Sequence, residues 1–286
     1  LTDILFDYGL KFFNIEINET LNNLFVDTSV IINPSLPMFI NQIQIVGNTR
    51  TFDEVIRREL LITEGDAVND LIIQQSLKNL KSLNIFESID IKQNKITETS
   101  TDIEINVKEK PTGSFQVGLS VGSLDGYSFI LGLNEKNIGG SGRNVSARIN
   151  SSAKNTEYSL NIIEPHIYNK KIDLIYGIGY IEKDLISKSS YKLDTLESNI
   201  GLQYDLTSDI FHKITLDYVL KKYTVSDISK VSTSIANSQG SNAEIKLNNS
   251  LTYNSLNSFI RPSKGLYSRF TNILSPVTNS DNGYVK

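Results

Sequence analysis

From Ser114 to Leu274 the chain repeats one two-residue code. In Ser114, Phe115, Gln116, Val117, Gly118, Leu119, Ser120 and Val121, apolar side chains hold the odd positions and small or polar ones the even positions. Successive strand side chains point to opposite faces, so the segment has one apolar face and one wet face. The code returns in Tyr127, Phe129, Leu131 and Leu133, then in Val145, Ala147 and Ile149, then in Tyr158, Leu160 and Ile162. Ile172, Leu174, Tyr176, Ile178 and Tyr180 follow, with Ile175 out of phase. Next come Ile200, Leu202 and Tyr204, then Ile214, Leu216, Tyr218 and Leu220. Ala243, Ile245, Leu247, Leu251 and Tyr253 form an eighth segment broken by Asn249, and Phe270 and Leu274 mark a fainter ninth. The opposite parity reads as Ser, Asn, Gly, Gln, Lys and Asp. Turns are predicted at 138–142, 165–171, 207–211 and 255–264, and on the other side at 123–126 and 153–156, with longer loops at 181–195 and 225–241.

These spans of about 8–12 residues are near the 9–11 that a tilted strand needs to cross a bilayer. A wall wetted by lipid on one face and by a polar lumen on the other has this signature, with long loops on one side and shorter turns on the other. A water-soluble β-sandwich also alternates. It would show several strands apolar on both faces, or Pro-marked edges. About nine one-sided strands in succession therefore point to an antiparallel transmembrane β-barrel.

The chain ahead of Ser114 follows other periods. Ile4, Leu5, Tyr8 and Phe12 have helical spacing, and 13–17 and 24–32 read as two strands, followed by a linker with Pro34 and Pro37. A strand is expected at 39–46, with Ile43 and Ile45 on one face and Gly47-Asn48 ending it. Thr51 and Glu54 read as a capping box opening a helix that turns Val55, Ile56 and Leu60 inward. A second helix over 70–83 carries Leu77, Leu80 and Leu83, and strands follow at 87–92 and 102–108. Their inward sets are Ile89 and Ile91, then Ile103, Ile105 and Val107. Strand, helix, helix, strand, strand in about seventy residues makes a small α+β domain. A charged hinge, Lys108-Glu109-Lys110-Pro111, leads to the wall.

Composition changes this picture little. Of 286 residues, 39% are hydrophobic and the mean hydropathy is −0.18, too polar for a helical membrane protein. A barrel passes this test because only alternate residues face lipid. The 13 Tyr and 12 Phe, with no Trp, suit aromatic girdles. The lack of cysteine removes disulfide and thiol chemistry, and a net charge of −4 with no basic run speaks against nucleic acid. His166 and His212 have no ligand at metal spacing and read as polar turn residues. No Ser/His/Asp order, phosphate loop or carboxylate pair stands out, so neither an enzyme nor a cofactor is expected. Gly139-Gly140-Ser141-Gly142 joins two strands and reads as a tight turn, and Arg57, Arg58 and Glu59 as a solvated helix surface. The start at Leu1 and the new strand beginning near Lys286 suggest an internal piece of a longer chain.

A combination of short motifs carries a resemblance. Val46-Gly47-Asn48-Thr49-Arg50-Thr51, Ile56-Arg57-Arg58-Glu59-Leu60, Leu83-Asn84-Ile85-Phe86 and Pro111-Thr112-Gly113-Ser114-Phe115 resemble, in order, the last POTRA domain and first barrel strand of the BamA family of outer-membrane protein assembly factors. Asn137-Ile138-Gly139-Gly140-Ser141-Gly142 resembles that family's first periplasmic turn, and Thr252-Tyr253-Asn254 with Arg261-Pro262-Ser263-Lys264-Gly265 its mid-barrel turn. The resemblance implies three parts: residues 1–35 as the end of a preceding POTRA domain, 36–110 as the last POTRA domain, and 111–286 as about nine N-terminal strands of a sixteen-strand barrel.

What it implies about function is the folding and insertion of barrel proteins into the bacterial outer membrane, with POTRA domains in the periplasm. An incoming strand has unpaired amides, and an exposed sheet edge can pair them by β-augmentation. The candidate edges are the POTRA strand with Glu87, Ser88, Ile89, Asp90 and Ile91, and the gate strand with Ser114, Phe115, Gln116, Val117, Gly118, Leu119, Ser120 and Val121. Gly118 offers little packing, which would keep such a seam weak. Arg58 and Glu59 lie in the segment that touches the lipoprotein partner BamD in the family, against the plain alternative of an exposed helix carboxylate. Implied partners are the outer-membrane bilayer, unfolded outer-membrane proteins and accessory lipoproteins. A two-partner secretion pore is the alternative within this architecture. A soluble β-rich binding protein and an outer-membrane enzyme are the alternatives outside it.

Overall fold

The computed structural model describes residues 13–22, 25–34, 37–123, 126–258, 261–278 and 284–285; the helix expected at 1–12 lies outside them. The chain divides into two compact units, Leu1–Lys110 and Pro111–Lys286.

In the first unit, β1 (Phe13–Asn22) and β2 (Phe25–Pro34) form an antiparallel hairpin. Ile17, Leu21, Val26 and Val30 are exposed on it, and Ile17 pairs with Val30 and Leu21 with Val26. The α+β domain follows as β3 (Phe39–Val46), α1 (Asp53–Arg57), α2 (Asp70–Ser82), β4 (Phe86–Lys95) and β5 (Ser100–Glu109). This is the order read from the sequence. The sheet order is β3-β5-β4, with β3 parallel and β4 antiparallel to the central β5. Ile103, Ile105 and Val107 of β5 are buried with Ile40 and Ile43 of β3, Val55 and Ile56 of α1 and Ile73 and Leu80 of α2. The buried residues of α2, Ile73, Ser76 and Leu80, are spaced by three and four, as one helix face requires.

Two local expectations fail here. The capping box does not form: α1 is capped by Phe52, whose side chain makes no cap bond, and it runs only to Arg57. Thr51 is instead buried, and its N–H donates to Glu109 Oε1 at 2.7 Å. A distant carboxylate has taken the polar groups that a local cap would have used. Asn69, by contrast, caps α2 through bonds from the Leu71 and Ile72 amides. The second failure is Glu59, which is 6% exposed and follows the helix end, where its N–H donates to the Ile56 carbonyl.

The second unit is one antiparallel meander in which every strand neighbours the next: β6 (Gly113–Gly122), β7 (Gly126–Glu135), β8 (Asn144–Ser152), β9 (Asn155–Glu164), β10 (Ile172–Asp184), β11 (Tyr191–Thr207), β12 (Ile210–Val225), β13 (Gly240–Asn254), β14 (Tyr267–Thr278) and the two-residue β15 (Tyr284–Val285). Among the described residues this unit holds a single ten-stranded sheet and no second one to pair with it, which disposes of the sandwich. The expected apolar parity is exposed: Phe115 is 66% and Leu119 83% accessible, and Tyr127, Ile178, Ile200 and Phe270 are also exposed. The other parity is crowded, burying Thr195, Thr215, Val219, Ile175 and Ser275. Ile175 faces Ile163 and Gly201 across its neighbours, so the inner face is not polar throughout. At Gly201 a Cβ would lie 2.3 Å from the Ile214 carbonyl oxygen, so only glycine permits that approach of β11 to β12.

Strand lengths depart from expectation in one direction. β10 to β13 span 13 to 17 residues, and the loop expected at 181–195 shrinks to the six residues between Asp184 and Tyr191. On this extension the apolar Tyr191 and Leu193 fall on the parity opposite to Ile200 and Leu202, so the outward code stops while the ladder continues. Lys192 bridges Glu182 at 2.8 Å on this extension.

His212 is the third correction. It lies within β12, on the outward parity, and not in a turn. Its Nδ1 is 2.7 Å from the Tyr204 hydroxyl and its Nε2 2.7 Å from Asn249 Oδ1. An amide oxygen can only accept, so Nε2 carries the proton and Tyr204 donates to Nδ1. Asn249, the apparent break in its strand, is therefore the partner that makes a histidine tolerable there. Asn249→Leu is expected to lower stability by about 1–3 kcal/mol by orphaning the imidazole N–H. The double variant with His212→Leu should recover most of the loss, as read from the heat-dependent gel mobility of the folded parent barrel.

Candidate strand-pairing edges

Among the described residues β4 pairs on one side only, with β5, through Ser88 opposite Lys108, Ile89 opposite Val107, Asp90 opposite Asn106 and Ile91 opposite Ile105. Ile89 and Ile91 pack against the domain core, while Glu87, Ser88 and Asp90 are exposed. Glu87 holds Lys108 at 2.8 Å across the pair, and Lys92 lies 3.8 Å from Asp90. The five residues proposed from the sequence thus lie together on a true sheet edge whose apolar face continues the core. A strand added there would meet free amides and carbonyls, with a ledge of isoleucines on one face.

β6 is the second edge. It pairs with β7 from Gly113 opposite Glu135 to Gly122 opposite Gly126, and with no other strand among the described residues. Phe115, Val117, Leu119 and Val121 present an exposed apolar face. Ser114, Gln116, Gly118 and Ser120 face the other way, where Ser114, Gln116, Gly132, Asn134, Arg148 and Asn161 line a shallow polar trough. A Cβ on Gly118 would only touch Ile130, at 3.5 Å, so this glycine reflects thin packing and not a forbidden conformation. The base of the edge strand is anchored by a residue that the sequence did not single out. Glu135 accepts from the Thr112 hydroxyl and, at 2.9 Å, from the Asn137 amide. Asn137 Oδ1 in turn accepts from the Gly142 amide at 2.7 Å, closing the turn in which Gly139, Gly140 and Gly142 all have positive φ.

The two residues carried over as a partner contact behave differently. Arg58 Nε lies 3.9 Å from Glu59 Oε1, and the Arg58 side chain is 17% exposed against 8% for Glu59. Asn79 of α2 donates to the Glu59 carbonyl at 3.1 Å. Glu59 is therefore built into the joint between the two helices and is not the exposed carboxylate that helix periodicity suggested.

A second missed residue is Glu109, the last of β5. It accepts from the Thr49 hydroxyl at 2.8 Å, from the Arg50 amide at 3.1 Å and from the Thr51 amide at 2.7 Å. Gly47, at φ +94°, lets this loop approach so closely that a Cβ would sit 2.0 Å from the Val107 carbonyl oxygen. Burial acts to raise the Glu109 pKa, but the hydrogen bonds from Thr51, Thr49 and Arg50 outweigh it and hold the carboxyl below its usual 4.5.

With this geometry in view, comparison places the chain. Residues 137–286 match the Omp85 superfamily domain and residues 38–110 match POTRA, the surface antigen variable number repeat. The chain belongs to the Omp85 superfamily. Among curated Omp85 relatives, the outer membrane protein assembly factor BamA of Neorickettsia risticii is 27% identical over 238 residues, covering 82% of this chain and 31% of that protein. BamA of Neisseria meningitidis serogroup B is 25% identical, covering 72% of this chain and 26% of that protein. The chain thus spans between about a quarter and a third of these relatives' length. The crystal structure of BamA from Haemophilus ducreyi lacking POTRA domains 1–3 matches with a TM-score of 0.74 at 21% identity, over 97% of this chain and 56% of that one. CdiB from Acinetobacter baumannii matches less well, at 0.53 and 13% identity over 94% of this chain and 50% of that one. The fold is that of a BamA-like protein, a POTRA domain and part of an Omp85 barrel wall.

The Glu109 clamp gives a pH prediction. A carboxylate whose pKa is depressed by folding contributes stability above its unfolded value, and loses it as pH falls through the folded one. Glu109→Gln should lower the thermal midpoint of the POTRA unit by a constant amount above about pH 4.5, and the gap to wild type should close below it. A gap unchanged from pH 7 to 3 would refute the clamp.

Proposed function

We propose that the parent protein resides in the outer membrane, with its POTRA domains in the periplasm, and folds and inserts other β-barrel proteins by pairing their strands with β4 and β6. What supports this most is β6, a full-length strand with lipid-type residues on one face and one unsatisfied backbone edge. In hydrocarbon every unpaired amide and carbonyl costs several kcal/mol, so such an edge is occupied by another strand or exchanged between strands. A loosely held partner can be replaced step by step by an incoming strand, with hydrogen bonds conserved throughout. No covalent bond changes and no cofactor is involved.

The POTRA edge would act earlier, holding an unfolded chain in extended form through main-chain bonds that do not depend on its sequence. Residues 1–35 read as the end of a preceding POTRA domain: the β1–β2 hairpin carries an apolar face, as the β4–β5 hairpin does beneath its helices. An accessory lipoprotein such as BamD would dock near Arg58. Buried Glu59 would position that arginine and not touch the partner itself.

The reading is tested by locking the seam in the full-length parent. Cysteines at Leu119 and at a facing position of the final strand, oxidised to completion, should abolish insertion of a substrate barrel, and reduction should restore it. Normal insertion by the fully cross-linked protein would overturn the role of β6. Substrate released across the membrane, and not embedded in it, would point to a polypeptide-translocating pore.

A further inference from the structure

The POTRA sheet has two outer edges, and among the described residues only one of them is open. On β3, Ile40 donates its N–H to the Asp66 carbonyl at 2.9 Å and accepts from the Gly65 amide at 2.8 Å, while Val68 donates to the Met38 carbonyl at 2.7 Å. The loop after α1 thus covers the first half of this edge. Further along, the cover is made of side chains. The Ile43 N–H donates to Glu64 Oε1 at 3.0 Å, and the Ile43 carbonyl accepts from Arg57 Nη2 at 2.8 Å. Arg57 and Glu64 face each other at 3.8 Å.

A carboxylate and a guanidinium here stand in for the carbonyl and amide of a neighbouring strand. Both side chains are about half exposed, at 43% and 50%, so their ion pair contributes little by itself. Their effect lies in what they occupy. An augmenting strand needs a run of free donors and acceptors, and Ile40 and Ile43 have none left on this side. On β4 no such cover exists among the described residues.

We infer that Arg57 and Glu64 form a side-chain lock on the β3 edge that restricts strand capture by this domain to β4. The inference deepens the augmentation reading and rests on it for its biological meaning, but the lock has a signature of its own. Arg57 comes from the end of α1 and Glu64 from the loop that follows, so the segment that carries the Arg58–Glu59 joint also closes the edge. Charged side chains turned onto an edge are a known way to stop sheets from joining. In this domain they would also confine the captured chain to one edge, beside β4 and never beside β3.

The test uses the full-length parent with a photo-cross-linking residue at Gln44 on β3 or at Ser88 on β4. The probe is a biotinylated ten-residue peptide of alternating valine and threonine. In the wild type, capture at Ser88 should exceed capture at Gln44 at least tenfold. Arg57→Ala with Glu64→Ala should raise capture at Gln44 about tenfold and leave Ser88 unchanged, and amide exchange at Ile43 should accelerate at least tenfold while Ile105 on the central strand stays protected. Glu64→Gln keeps an acceptor oxygen for Ile43 and should behave as wild type. If the double variant loses protection at Ile105 as well, Glu64→Ala alone carries the same expectations. Equal capture at both sites in the wild type, or unchanged exchange at Ile43 in the variant, would overturn the lock. Capture that appears at Gln44 in the variant while Ser88 is silent throughout would keep the lock and overturn the role of β4.

Discussion

A strand's backbone has two edges, and each must be met by a strand, a side chain or water. This constraint organises both units. In the wall, every strand from β7 to β14 is met on both sides, and β6 on one. In the POTRA domain, β5 is met on both sides, β3 is met by β5 and by a loop with two charged side chains, and β4, among the described residues, only by β5. Among the described residues the outer edges of β4 and β6 are open, and they are the two edges at which strand pairing is proposed.

Around those open edges the frame is held by carboxylates that gather several amides or hydroxyls each. Glu109 ties the loop at 49–51 to the end of β5, and Glu135 ties Thr112 and Asn137 at the foot of β6 and β7. Each is an acceptor-only group facing several donors, an arrangement that fixes a loop more tightly than single neutral bonds do. If strand partners exchange at an edge, as proposed, fixed points immediately beside it would serve that exchange. Rigid ends leave the exchange to the ladder itself.

The wall combines two requirements that conflict at a few places. Its outer face must be apolar, yet His212 and Asn249 lie on it; they meet the requirement by bonding to each other and to Tyr204. Its inner face must be mostly small and polar, yet the crowding that buries Thr195 and Thr215 also makes room for Ile175 and Val219. A buried apolar residue on that face removes the need for one more satisfied hydrogen bond.

The alternation of Phe115, Val117, Leu119 and Val121, repeated to Leu274, was enough to determine an antiparallel wall with one lipid face, because strand geometry projects a period of two directly onto two faces. The strand-helix-helix-strand-strand order was equally legible, since hydrophobic spacing is a local property. What the sequence could not decide is everything set by partners distant in the chain. Thr51 and Glu54 have the spacing of a cap, but Glu109, 58 residues away, claims Thr51. Glu59 has the spacing of an exposed helix residue, but α1 ends at Arg57 and the chain turns it inward. His212 reads as a turn residue until Tyr204 and Asn249 are brought beside it. Which edge of the POTRA sheet stays open was likewise a tertiary decision, because Arg57 and Glu64 are ordinary surface charges in sequence and reach the Ile43 backbone only when the helix and its loop fold over β3.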